Sequence, residues 1–192
     1  MTPSAHLDSF ARDNLPAREQ WPDFLFGLPE LKYPDRMNCV SELLDRGIAS
    51  GDGDRPCLIT AGETVSYAQL AERVNRIANV LTRDLGFVPG HRVLLRGPNS
   101  PMMVAAYLAI IKAGGVVVAT MPLLRAKEIA YPITKAKIRL ALCDQRLAED
   151  ALRLDALVGV AGDQREGRQA GGGRRLRGSA HASGAVASHS TR

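Results

Sequence analysis

Aromatic side chains are scarce in this chain of 192 residues: one Trp, four Tyr and four Phe, with none beyond Tyr131. Cysteine is scarcer still. Cys39, Cys57 and Cys143 form an odd set without C-x-x-C or Cys/His ligand spacing. That pattern argues against a zinc site and for thiols in a reducing, cytoplasmic compartment. The N-terminus lacks the apolar stretch of a signal peptide, because Asp8, Arg12 and Asp13 fall where that stretch would lie. An unbroken membrane-length run is also missing. Residues 101–124 carry a single charge, Lys112, but Gly114-Gly115 and Pro122 divide them. A buried helix followed by a buried strand explains that punctuation better than a membrane span.

Lysine is absent after residue 150. The last 42 residues hold 7 Arg against 3 acidic residues and supply +4 of the formal +5. Residues 1–150 carry 18 basic and 17 acidic side chains and are close to neutral. The pI near 9.4 therefore belongs to the end of the chain and is no evidence for a nucleic-acid-binding domain. No aromatic residue interleaves with the arginines there, as a stacking platform for bases would require.

What is present is well patterned between about residues 13 and 150. Pro16, Pro22, Pro29 and Pro34 predict an irregular opening that wraps a domain surface. Asn38 is placed to cap a helix to about residue 50, with Val40, Leu43, Leu44 and Ile48 on its apolar face. Residues 56–60 read as a short strand. Ser66 and Gln69 have capping-box spacing, followed by the stripe Leu70, Val74, Ile77 and Leu81, and Gly86 is placed to stop that helix. Residues 92–96 predict a strand, and Ser100-Pro101 the start of a helix to residue 113. Residues 116–120 predict the next strand, 125–131 a short helix ending near Pro132, and 138–143 a further strand. Strands separated by helices in this rhythm imply an α/β fold, a parallel sheet with flanking helices on both faces.

Two stretches carry a family resemblance. TVSYAQLAERVNRIANVL, residues 64–81, resembles the first core motif of the adenylate-forming ligases, which include acyl- and aryl-CoA synthetases. AYLAIIKAGGVVVATMPLL, residues 106–124, resembles the second, and GFVPGHRVLLRGPNSPMM joins them in the family's order, with His91 where Asp is commoner. DNLPAREQWPDFLF and YPDRMNCVSELLDR are more particular, and are similar to the N-terminus of 2-aminobenzoate–CoA and benzoate–CoA ligases. The resemblance covers about residues 10–150 and implies an incomplete N-terminal subdomain of such a ligase. It further implies that the parent activity joins an aromatic acid to coenzyme A through an acyl-adenylate, with ATP, Mg and CoA as cofactors. The residues that grip MgATP in the family lie in an SGTTG-x-P-K-like loop, a Tyr-Gly-x-Thr-Glu-like segment and a distal TGD. None of these occurs in this sequence.

The remaining motifs each have a plainer account. Gly162 and Gly167 have the glycine spacing of a phosphate loop, but Arg168-Gln169 replaces Lys and Ser/Thr, and no strand is expected ahead of them. Gly171-Gly172-Gly173 with Arg174, Arg175 and Arg177 reads as a disordered cationic stretch. His181 and His189 have no partners at ligand spacing. Ser66 and Ser100 read as helix caps, and Lys112 as a lysine favouring a helix C-terminus. No catalytic, cofactor-binding or metal residue is therefore assigned.

The expectation is a ligase part over residues 1–150 and a low-complexity Ala/Gly/Arg/Ser tail, disordered, over 151–192. The tail's commonest residues have codons whose first two bases are G or C, as a frame change in a G+C-rich gene would produce. The expected whole is a truncated AMP-forming aryl-CoA ligase, inactive alone, that binds no cofactor itself, contacts neither nucleic acid nor membrane, and self-associates through exposed apolar surface. The competing readings are a non-catalytic interaction module pairing with a ligase or another chain and, last, a basic-tailed nucleic-acid binder.

Overall fold

The structure, a computed structural model, describes residues 4–153 and 159–163. The proline-punctuated opening is irregular as expected. It holds one short helix, α1 (Phe10–Asp13), and 3-10 turns at Arg18–Gln20 and Pro29–Leu31. Ahead of α1 the chain forms a strap across the base of the fold. The N–H groups of Leu7 and Asp8 both donate to Pro89 O at 3.0 Å, and Asp8 Oδ2 meets Arg92 Nη1 at 2.7 Å. Gly90, at φ +95°, lies under this crossing, and a Cβ there would stand 2.2 Å from Asp8 O. Only glycine permits both that conformation and that approach.

Asn38 joins two helix ends. Its Oδ1 accepts from Val40 N–H at 3.0 Å, while its amide donates to Ile111 O at 3.0 Å and Lys112 O at 3.2 Å. The helix it opens takes π-helical turns, Ser41–Asp45 and Ile48–Asp52. Bonding from i to i+5 widens the turn, so Val40 and Leu44 stay buried while Leu43 is turned outward at 62% exposure. The placement of Leu43 on the apolar face is corrected accordingly.

Next come β1 (Pro56–Ile59) and β2 (Thr64–Ser66), an antiparallel pair. The chain then enters α2 (Tyr67–Asp84) through the expected capping box, Gln69 N–H to Ser66 Oγ at 3.3 Å and Ser66 N–H to Gln69 Oε1 at 2.9 Å. After Gly86, at φ +59°, the repeating part begins. It runs β3 (Arg92–Arg96), α3 (Pro101–Lys112), β4 (Val116–Thr120), α4 (Ala126–Lys135), β5 (Leu140–Asp144), α5 (Ala148–Leu152) and β6 (Gly159–Asp163). The sheet order is β4-β3-β5-β6 and every pairing is parallel.

Alternation along β3 divides the core. Val93 and Leu95 pack with Leu81, Phe87 and Ile110 on the side of α2 and α3. Leu94 packs with Ile129 and Ile133 of α4, Ala141 of β5 and Ala151 of α5 on the other side. Both faces of the sheet are therefore covered, as a parallel sheet requires.

Two expectations change. Helix α4 continues through Pro132 instead of ending there. Ile129 and Ile133, one turn apart, are 0% and 1% exposed, and burying both needs the helix on each side of the proline. The stretch from residue 151 is not wholly irregular either. Helix α5 crosses that boundary, and β6 pairs with β5 from Leu140↔Gly159 to Asp144↔Asp163. An edge strand offers free backbone groups to any extended segment, whatever its side chains. Residues 154–158 and 164–192 lie outside the described residues, and with them Gly171-Gly172-Gly173, Arg174, Arg175, Arg177, His181 and His189.

The strap makes stability depend on pH. Burial, helped by the charges of Arg92 and Arg139 and opposed by Asp8, holds His91 below its ordinary value of 6.5. Burial alone would raise Asp8, but the Arg92 hydrogen bond, the Phe10 N–H and the charges of Arg92 and His91 together hold it below 3.8. At His91 the unfolded chain takes up a proton near pH 6.5 that the folded chain refuses, so stability falls as pH drops below that point. A second loss begins below about pH 3.8 as Asp8 protonates first in the unfolded chain. Urea midpoints measured between pH 7.5 and 5 should drop, and His91→Gln should flatten that step. An equal step in the variant would rule His91 out as its cause.

Candidate functional site: the carboxyl edge of the sheet

In open parallel sheets, ligands gather outside the carboxyl ends of strands whose connections leave toward opposite faces. Here β3 leads to α3 on one face, while β4 and β5 lead to α4 and α5 on the other. The loops at 97–100, 121–125 and 145–147 therefore surround one edge.

Arg96, the last residue of β3, organises that edge although it is only 1% exposed. Its Nη2 donates to Pro122 O at 2.9 Å and also to Leu124 O, and approaches Asp150 Oδ2 at 3.5 Å. Asp150 Oδ1 in turn accepts from the N–H of Ala126, the first residue of α4, at 3.3 Å. One buried guanidinium thus fixes the β4–α4 loop, and its carboxylate partner fixes the start of α4. Among the described residues, Arg96 Nε and Nη1 are buried without a hydrogen-bond partner, as is Oγ1 of Thr120, which stands opposite Arg96 on β4.

Cys143 faces Arg96 from β5. Burial pushes its thiol up to about 11, with Asp144 and Asp150 pushing the same way and Arg96 opposing them. It is a neutral thiol at physiological pH and no nucleophile. Gly97 follows Arg96, and a Cβ there would make ordinary van der Waals contact with Met103 Sδ at 3.5 Å and Asp144 Cβ at 3.6 Å.

Ser66 and Ser100 are caps, the latter accepting from Met103 N–H at 3.1 Å. Lys112 sits in the last turn of α3 and pairs with Asp45 at 2.6 Å. Gly162 lies in β6, so a strand does run into the Gly162 to Gly167 spacing, contrary to expectation, while Gly167, Arg168 and Gln169 are outside the described residues. Among the described residues no three His, Cys, Asp or Glu side chains come together as metal ligands. The carboxylates at this edge are already engaged, Asp144 with Arg146 at 2.9 Å and Asp150 with Arg96. The described donor set therefore does not fit MgATP. Among the described residues, this edge shapes and anchors loops.

The fold and the position of this edge define an α/β protein of the open, parallel-sheet class. The chain belongs to the AMP-binding enzyme family, whose model matches residues 46–175. It is 32% identical over 119 residues to a benzoate–CoA ligase of Thauera aromatica, covering 62% of this chain and 23% of that protein. Among solved structures it is similar to the anthranilate CoA ligase AuaEII in complex with anthranoyl-AMP, with a TM-score of 0.63 at 26% identity over 72% of this chain and 27% of that one. ATP-bound MatB from Rhodopseudomonas palustris is also similar, with a TM-score of 0.58 at 28% identity over 65% of this chain and 25% of that one. The chain thus spans less than a quarter of the length of that curated relative. Its fold is that of the N-terminal part of adenylate-forming ligases, as residues 64–81 and 106–124 imply. No described helix is long and apolar enough to cross a membrane.

Proposed function

We propose that this chain carries the N-terminal layer of a cytoplasmic AMP-forming aryl-CoA ligase whose parent activity converts ATP, an aromatic acid such as 2-aminobenzoate and CoA into acyl-CoA, AMP and pyrophosphate. The observation behind this reading is the β3–α3–β4 core with its Arg96-anchored loop, in a chain similar to a benzoate–CoA ligase and to an anthranilate CoA ligase. The 2-aminobenzoate assignment rests on residues 13–26 and 33–46. ATP, Mg and CoA belong to the parent reaction, and this chain alone binds none of them. The boundary of the ligase part near residue 150 is part of this proposal, set against a family match that runs to residue 175 and a strand, β6, that extends the same sheet. Exposed Phe24, Leu25, Phe26 and Leu123 favour self-association.

Two measurements test this. ATP–pyrophosphate exchange by the purified chain with Mg²⁺ and either 2-aminobenzoate or benzoate should stay at background, because the phosphate-gripping motifs are absent from its sequence. Exchange that depends on the added acid would overturn the inactivity of the chain. Reading the gene across codons 145–170 in all three frames should recover ligase-like sequence with a Gly/Ser/Thr-rich loop downstream. If no alternative frame continues the ligase pattern, the boundary near residue 150 is wrong.

A further inference from the structure

At the opposite edge of the sheet, where β3 and β5 begin, Asp8, His91, Arg92, Lys137, Arg139 and Leu140 line a hollow of about 80 Å³. A single buried water needs roughly 10–15 Å³ of such space, so the hollow has room for a small polyatomic ion. Its lining is unbalanced in charge, with two arginines, a lysine and a histidine set against one carboxylate.

Arg92 is the built part of this site. It is 7% exposed, and its Nε and Nη2 donate to Ala136 O at 2.8 Å and Lys137 O at 3.2 Å, while Nη1 donates to Gly90 O at 3.0 Å. The centre of the Phe10 ring lies 4.5 Å from its guanidinium carbon and 5.0 Å from Lys137 Nζ, so both cations contact the same ring. His91 Nδ1 accepts from Val88 N–H at 3.4 Å, which leaves Nε2–H to face Asp8 Oδ2 at 3.9 Å.

At φ +49° Lys137 is the non-glycine residue with positive φ among those described. Sterics there favour glycine or asparagine, and an ordinary side chain costs on the order of 1–2 kcal/mol. Lys137 closes the C-terminus of α4 in that conformation, where Ile138 N–H donates to Ile133 O at 2.9 Å, and its side chain lines the hollow.

We propose that this hollow is a binding site for a small tetrahedral oxyanion, of the phosphate or sulfate class, held by His91 Nε2–H, Lys137 and Arg139 above the buried Arg92. Asp8, 2.7 Å from Arg92 Nη1, is the chain's own competing anion, carried into the site by the N-terminal strap. The site is independent of ligase activity and lies at the other end of the strands from the Arg96 edge.

The test is isothermal titration of the full chain with inorganic phosphate, and separately with sulfate, at ionic strength held constant with chloride. Both should bind saturably. Asp8→Asn, which removes the competing charge, should tighten binding severalfold. Lys137→Gly combined with Arg139→Ala should weaken it by about tenfold or more, a loss of about 1.4 kcal/mol. Lys137→Gly relieves the left-handed strain, so that variant should fold at least as well as the parent, and a thermal melt confirms it. The histidine ring signals, assigned with His91→Gln, should show the His91 titration moving to higher pH on phosphate addition. Unsaturable binding, unchanged affinity in the Lys137/Arg139 variant, or weaker binding in Asp8→Asn would each overturn the proposal.

Discussion

Replacing Arg96 with alanine should destabilise the chain by roughly 3–5 kcal/mol, the usual penalty for breaking a buried ion pair from one side. Arg96 is 1% exposed, and the side chain of Asp150 is 13% exposed. Without the guanidinium, the partners left to that carboxylate among the described residues are the Ala126 N–H and the exposed Arg125, 3.8 Å away. The carbonyls of Pro122 and Leu124 lose their donor at the same time. Asp150→Asn should cost less, since an amide oxygen still accepts from Ala126 and Arg96 still holds both carbonyls. Arg96→Met with Asp150→Met should cost least of all. A buried pair replaced by apolar groups of similar size is often neutral, because its desolvation penalty disappears with it. Arg96 has two nitrogens without partners among the described residues, which makes that penalty larger. Urea denaturation followed by far-UV circular dichroism would rank the three variants. If Arg96→Ala lies within about 1 kcal/mol of the parent, the value of a surface pair, this clasp does not hold the loop.

The same residue shows where the sequence stops being informative. Arg-Val-Leu-Leu-Arg reads as a strand, and the strand is where it was expected. Both arginines are buried. Apart from Gly90 O beside Arg92, their acceptors are distant in sequence, Ala136 and Lys137 for Arg92, Pro122, Leu124 and Asp150 for Arg96. Nothing in local spacing signals an acceptor that only the folded sheet brings near. Features resting on local chemistry were legible: the Ser66 capping box, Pro101 at the first position of α3, and the β-branched run of β4. Strand β2, three residues long, was hidden because it merges into the cap of α2. The π-helical turns after Asn38 were hidden because their apolar spacing also fits an ordinary helix. At the candidate site, the loops were visible as connections, while the Arg96–Asp150 clasp that fixes them was not.

Gly114-Gly115, legible as punctuation between α3 and β4, does two different jobs. Gly114 is at φ +82°, a conformation ordinary side chains resist. Gly115 has no positive φ; its constraint is space. A Cβ there would stand 2.5 Å from Phe87 Cζ, 2.9 Å from Ile110 Cγ2 and 3.0 Å from Ile110 O. Neither neighbour can retreat easily. Phe87 is 4% exposed and Ile110 is 0% exposed, and Ile110 O already accepts from Gly115 N–H at 2.8 Å. Gly115→Val should therefore cost about 3 kcal/mol or more, at or beyond the upper end for overpacking, because the clash includes backbone as well as flexible side chain. It should also move β4 relative to β3, since the next residue, Val116, opens the β3–β4 register opposite Arg92. Phe87→Leu removes the ring atom that makes the nearest contact. Added to Gly115→Val it should recover part of the loss, although alone it would leave a small void and cost stability itself. Thermal melts of the four chains in that cycle provide the check. A Gly115→Val chain that melts with the parent would mean that β4 shifts freely to make room; a double variant no better than the sum of the singles would mean that Phe87 is not what Gly115 must avoid.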